Sequence, residues 1–286
     1  METSELLKRV RKIEIKTRTL SKQIFSGQYH SAFKGRGMTF SEVREYLTGD
    51  EVRFIDWKVT AHFNRPYVKV FEEERELTVM LLVDVSASGD FGSARTKREI
   101  LTEIAATLAF SAIQNNDKVG AIFFSSEVEK YIPPKKGKSH LLHIIRELIG
   151  FHPKNKGTGI GEALKFLRNV QKRRSTPFLL SDFMCSDYEE ALKIAGKAHE
   201  LIAIQIHDPM EEKLPDWGLV RIHDNESGRE LMVDTSSAAN RQAFARYQNR
   251  IKQERETLMS RYGITHASIS TEEDYVKPLI NMFSRL

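Results

Sequence analysis

The chain has 286 residues, of which 40% are hydrophobic and 29% charged, with 44 basic against 39 acidic side chains for a net charge of +5. At roughly 150 residues per domain this length allows one large domain or two small ones, and the composition excludes a disordered, collagenous or fibrous chain. The single cysteine, Cys185, excludes an internal disulfide and a zinc site built from cysteines.

No stretch approaches the roughly eighteen apolar residues of a membrane span. The longest apolar run, Leu77 to Val83, is broken by Thr78 and has the length of a strand. The first residues mix charges and lack the apolar segment of a secretory signal. A soluble, cytoplasmic protein is expected. The mild basicity permits an acidic partner without requiring one.

Taken in order, residues 1–76 show little regular alternation. Lys8, Arg9, Arg11, Lys12, Lys16, Arg18 and Lys22 oppose Leu6, Val10, Ile13 and Leu20, which predicts a basic amphipathic helix with a solvated charged face. A glycine-punctuated stretch over 27–37 comes next, then a short helix opened by Thr39 with Glu42 as its capping-box partner, and a strand over 67–71. This is too little apolar material for a strong core of its own, so residues 1–76 are expected to pack on the sheet domain that begins at Leu77.

From Leu77 strands and helices alternate. The run 77–85 is nearly continuous in apolar residues, as in a parallel strand buried on both faces. Ile100, Leu101, Ile104, Ala105, Leu108, Ala112 and Ile113 then recur at helical spacing, and Asn115 and Asn116 stop that helix. A strand follows at 118–124, then helices at 138–149 and 160–170, a strand at 177–183 and a helix at 188–199. The sequence continues with a strand at 201–207, a long helix at 238–262, a strand at 264–270 and a last helix from Thr271 boxed by Asp274. Residues 77–286 therefore read as one doubly wound, mostly parallel α/β domain. GLVRIH and RELMVD flank DNESG and insert a β-hairpin at about 217–234.

Ligands of an open parallel sheet gather beyond the carboxyl ends of its strands. There the sequence places Asp84, Ser86 and Ser88 in DVSAS, Thr158 between two glycines, and Asp182 after LLS. All five side chains offer oxygen, which suits a hard divalent cation, magnesium first, with manganese or calcium also possible. Two carboxylates and three hydroxyls carry less charge than an all-carboxylate cage. A metal held so would stay electrophilic and could take a carboxylate from another molecule. Each piece alone reads as a helix cap or a turn; together, in this order, they read as a metal site.

DVSAS, GTGIGEAL and SDF resemble the metal-ion-dependent adhesion site of von Willebrand factor A domains. The resemblance implies Ser86, Ser88 and Thr158 as direct ligands, with Asp84 and Asp182 acting directly or through water. The stretch from GRGMTF through DVSAS, the segment DPMEEKLPDWGLVRIHDNESGRE and the ending YGITHASISTEEDY are similar to the bacterial domain-of-unknown-function family 58. That second resemblance implies association with a MoxR-type AAA+ ATPase in chaperone-like assembly or metal insertion, with a client protein as a further partner.

Other signals point less far. Where an aspartyl phosphatase needs a second Asp there is Ser86, and GTGIGEAL has Glu162 at the third glycine position of a dinucleotide loop. Ser86 and Ser88 lack a G-x-S-x-G elbow. A magnesium-dependent phosphoester hydrolase is the rival reading, lacking a general base and a second carboxylate. His140 and His143 read as helix surface, Cys185 as a structural thiol near the metal rim, and His207, Asp208 and Glu211 as loop caps. Arg44, Arg53, Trp57 and Lys58, within a charge-rich stretch that includes Asp50, Asp56 and Arg65, are candidates for partner binding or for an ion-pair network. Scattered lysines and arginines without stacking aromatics argue against a nucleic-acid surface. The expected protein is a non-catalytic adaptor.

Overall fold

A computed structural model of the chain describes residues 39–72, 77–226 and 228–285, which fall into two units, one within 33–76 and one from Leu77 onward. The basic helix and the glycine-punctuated stretch expected before residue 39 lie outside the described residues.

In the smaller unit, Thr39–Glu45 is a strand (β1) and not the short helix expected from Thr39 and Glu42. It pairs antiparallel with Tyr67–Glu72 (β2), and this ladder overrides the local capping pattern. Between them lies a helix, Trp57–Phe63 (α1), which the sequence reading left out. Its start is explicable: Asp56 caps it, accepting the N–H groups of Lys58 and Val59 at 3.0 and 3.3 Å.

The larger unit is built on Thr78–Asp84 (β3), the centre of a six-stranded sheet. Lys97–Gln114 (α2) follows it, capped by Thr96 and stopped at Asn116, which takes the left-handed conformation. Then come Lys118–Phe124 (β4), Val128–Lys135 (β5), Lys138–Ile149 (α3), Ile160–Val170 (α4), Thr176–Ser181 (β6) and Glu189–Ala198 (α5). Ile202–His207 (β7), Pro209–Glu212 (α6), Leu219–His223 (β8), Glu230–Asp234 (β9), Ala238–Arg261 (α7), Thr265–Ser270 (β10) and Val276–Phe283 (α8) complete it.

The sheet runs β10-β7-β6-β3-β4-β5, parallel throughout except for the antiparallel edge strand β5. That edge was not anticipated. Only Ile132 of β5 is fully buried and Pro133 and Pro134 sit within it, which hides the strand signal yet suits an edge. Helices cover both faces of the sheet, which is why β3 is apolar at nearly every position. Met80 and Leu82 pack with Ile160, Leu164 and Leu167 of α4 and Leu192 of α5. Across the sheet, α2 lies against β3, β4, β6 and β7, and Phe178 meets Phe283 of α8 at 6.2 Å between ring centroids.

Two boundaries differ from expectation. The strand expected over 177–183 ends at Ser181, leaving Asp182 beyond it and Phe183 with a φ of 58°. Thr271 does not open α8: its hydroxyl donates to Asp208 Oδ2 at 2.6 Å, a contact to another strand's end that outweighs a local cap. Asp274 instead accepts the Val276 N–H at 3.1 Å. The hairpin at 217–234 is present as β8 and β9, in a sheet of its own.

Candidate metal centre

Asp84 closes β3 next to Ser181, which closes the neighbouring strand β6. The Asp84 carboxylate accepts the Ser86 N–H at 2.9 Å on one oxygen and the Ser181 hydroxyl at 2.5 Å on the other. The hydroxyls of Ser86 and Ser88 are bonded to each other at 2.9 Å. Their turn is fastened from two sides, by Ala87 N–H on Lys156 O at 2.9 Å and by Arg98 Nη2 on Ser86 O at 3.1 Å. The turn carrying Thr158 is fastened by Gly159 N–H on Ser125 O at 2.7 Å.

Gly159 has a steric reason to be glycine. A Cβ there would stand 2.4 Å from Ser126 O, backbone that has no freedom to swing away. Gly159→Ala is expected to cost about 1–3 kcal/mol, read as a fall in melting temperature on the order of 5 °C. An unchanged melting curve would show that Gly159 does not pack against the Ser125–Ser126 backbone as described.

Asp84 and Asp182 are both buried. Burial, and next the charge of Asp182, push the Asp84 carboxyl up to about 7, while the hydrogen bonds from Ser181 and Ser86 pull the other way. Asp182 is matched by Lys97, whose ammonium lies 2.6 Å from Asp182 Oδ2 and 2.6 Å from Glu211 Oε1. Thr158 donates its hydroxyl to Glu226 Oε1 at 2.7 Å, and Ser88 lines the same cavity as that carboxylate. Asp84, Ser86 and Ser88 are thus joined by hydrogen bonds, while Thr158 is held by Glu226 and Asp182 by Lys97. Among the described residues no three His, Cys, Asp or Glu side chains form a metal cage by themselves. The hard oxygen donors would have to include hydroxyls, as Ser86, Ser88 and Thr158 supply. Two buried carboxylates whose repulsion a cation would relieve, beside three hydroxyls, fit a hard divalent ion.

The sequence reading missed Lys97, Ser181 and Glu226. It placed Glu211 only as a cap. Glu211 does accept the Asp208 N–H at 3.0 Å in a capping box, and it also holds Lys97. Cys185 lies beside the centre as a half-buried thiol pushed up to about 12, mainly by partial burial, which leaves it a poor nucleophile. His140 bonds to Val119 O at 3.0 Å and His143 approaches Glu147. In the smaller unit Arg44 forms a two-pronged pair with Asp50 at 2.7 and 2.8 Å, Arg53 pairs with Glu51, and Lys69 pairs with Asp56. Trp57 is 67% exposed.

Residues 42–255 match the family described as "Protein of unknown function DUF58". The chain belongs to that family. This DUF58 chain is 28% identical over 286 residues to the uncharacterized protein Rv1480 of Mycobacterium tuberculosis, covering 98% of this chain and 89% of that one. Among solved structures it is similar to the conserved hypothetical protein BatB from Bacteroides thetaiotaomicron, with a TM-score of 0.47 and 16% identity over 73% of this chain and 98% of that one. It is also similar to the SpRpn10 VWA domain, with a TM-score of 0.41 and 12% identity over 72% of this chain and 94% of that one. The DUF58 chain has the expected α/β architecture, a doubly wound, mostly parallel sheet with β3 at its centre. No helix among the described residues is long and apolar enough to cross a membrane.

Proposed function

We propose that this DUF58 chain is a metal-dependent protein-binding module in the cytoplasm, with no reaction of its own, in which Ser86, Ser88 and Thr158 hold Mg²⁺ together with Asp84 and Asp182. The observation that carries this reading is the convergence of two buried, mutually repelling carboxylates with three hydroxyls at the carboxyl edge of the sheet. When bound, the ion offers a coordination position to an Asp or Glu of the partner; manganese and calcium are the other hard ions the oxygen set suits.

The chain's own residues prepare that position. Ser181 and the Ser86 N–H orient Asp84, Lys97 and the Met184 N–H orient Asp182, and the Lys156 carbonyl holds the serine turn. Binding is favoured over nucleophilic chemistry because the Ser86 and Ser88 hydroxyls bond each other, while the His207 ring faces Ser268 and Glu212. By family resemblance the partner is a MoxR-type AAA+ ATPase, with a client protein as a further ligand. Exposed Trp57, with Lys58, Arg44 and Arg53, is the proposed specificity surface of the smaller unit.

The test is a calorimetric titration of Mg²⁺ and Mn²⁺ into the metal-free chain, alone and with the MoxR-type ATPase of the same organism, using Asp84→Ala as control. Saturable binding strengthened by the ATPase and lost in the variant is the expected result. Binding indifferent to the ATPase would overturn that partner, and no binding in either condition would overturn the site.

A further inference from the structure

The β8–β9 hairpin stands apart from the main sheet, and Leu219, Leu231 and Met232 on it are more than half exposed. At its base the Thr235 hydroxyl donates to Gly218 O at 2.7 Å and accepts the Trp217 N–H at 3.0 Å. Its turn, in contrast, carries a carboxylate into the metal centre. Glu226 takes the hydroxyl hydrogen bond of Thr158, from the loop that opens α4, and lines one cavity together with Ser88, from the turn after β3.

This placement is electrostatically unfavourable by itself. Glu226 lines the same cavity as Asp182, so a third carboxylate stands near the pair. The Thr158 bond does not require an acid, since a neutral amide accepts it as well. What an acid adds there is a hard anionic oxygen next to a hydroxyl proposed as a metal ligand, which is the chemical group a partner's Asp or Glu would bring. Glu226 also lines two cavities, one of about 600 Å³ that includes Ser88, Lys97 and Asp182, and one of about 1150 Å³ that includes Thr158 and Cys185. The turn therefore occupies the approach to the centre from both sides.

We infer that Glu226 is a built-in carboxylate ligand of this centre, holding the position that a partner's acid would take, so that hairpin and partner compete for it. This deepens the proposed metal-dependent function and rests on it. It assigns the hairpin a role as an internal competitor: an acidic partner must displace the turn before it can be captured.

The experiment titrates Mn²⁺ into metal-free wild type and Glu226→Gln, each with and without a large excess of acetate as the simplest carboxylate. Hydrogen exchange is followed across residues 219–234. Melting of the metal-free variant serves as the folding control, and removing a like charge is expected to leave it unchanged or raised. Glu226→Gln should bind Mn²⁺ about tenfold or more weakly, a loss at least as large as that for supporting residues of metal sites. Acetate should recover binding in the variant and leave the wild type unmoved. Mn²⁺ should slow exchange across the hairpin of the wild type alone. Equal Mn²⁺ affinities, with hairpin exchange indifferent to the metal, would overturn the inference and leave the metal centre standing. No Mn²⁺ binding by the wild type would overturn both.

Discussion

Asp84→Asn raises the melting temperature of the metal-free chain at pH 8, by on the order of 5 °C or more, and abolishes its response to Mn²⁺. The reason is that the Asp84 carboxyl is held at about 7 against an ordinary value of 3.8, by burial first and by the charge of Asp182 second. A group whose pKa is raised on folding favours the folded state fully below its unfolded value, and that contribution is lost as pH rises through the folded value. The wild type therefore loses stability between about pH 4 and pH 7, by a few kcal/mol. The asparagine carries no charge to lose. Its advantage should shrink to nothing as pH falls toward 4, which a set of melting curves across this range measures.

The same linkage makes metal binding depend on pH. Binding requires the Asp84 proton to leave, so Mn²⁺ affinity of the wild type should climb as pH rises from 6 to 7, by up to about tenfold per unit, and flatten above. A variant no more stable than wild type at pH 8 would show that the folded protein already compensates the charge on Asp84. The repulsion would then not be what a cation relieves.

Lys97→Met should lower the melting temperature on the order of 10 °C and make the remaining stability metal-dependent. Lys97 is 1% exposed, and its ammonium bridges Asp182 and Glu211 at 2.6 Å each. Burial alone would pull its pKa down; the two carboxylates outweigh that and hold it above its ordinary value. Methionine keeps most of the side-chain volume but leaves Asp182 without its cation beside Asp84. Breaking a buried pair from one side costs about 3–5 kcal/mol, because the other charge stays behind. Added Mn²⁺ should then stabilise the variant more than the wild type, since the ion takes over part of the lost neutralisation. Melting indistinguishable from wild type would mean that Lys97 does not hold Asp182 as described.

Much of this architecture is written in local patterns. The helices at Lys138–Ile149 and Ile160–Val170 and the strand at Lys118–Phe124 follow from apolar periodicity and length. The departures have physical causes of the opposite kind. Thr39 and Glu42 spell a helix cap, but pairing with Tyr67–Glu72 makes them a strand. Thr271 and Asp274 spell another, but the end of a neighbouring strand claims Thr271 through Asp208. Strand β5 escapes notice because an edge strand needs only a partial apolar pattern.

The candidate centre divides the same way. Asp84, Ser86, Ser88, Thr158 and Asp182 are legible because they stand at strand ends and in the loop opening α4, in one order, and a doubly wound sheet brings its carboxyl ends to one edge. By itself, the sequence determined the α/β class, the hairpin and this set of five oxygen donors, all of them properties of neighbours along the chain. Only the tertiary structure decided that Ser181 would lock Asp84 from 97 residues away, that Lys97 would reach Asp182 across 85, and that Glu226 would reach Thr158 across 68. A charge finds its partner through strand order and the placement of an inserted turn, and periodicity along the chain carries no trace of either.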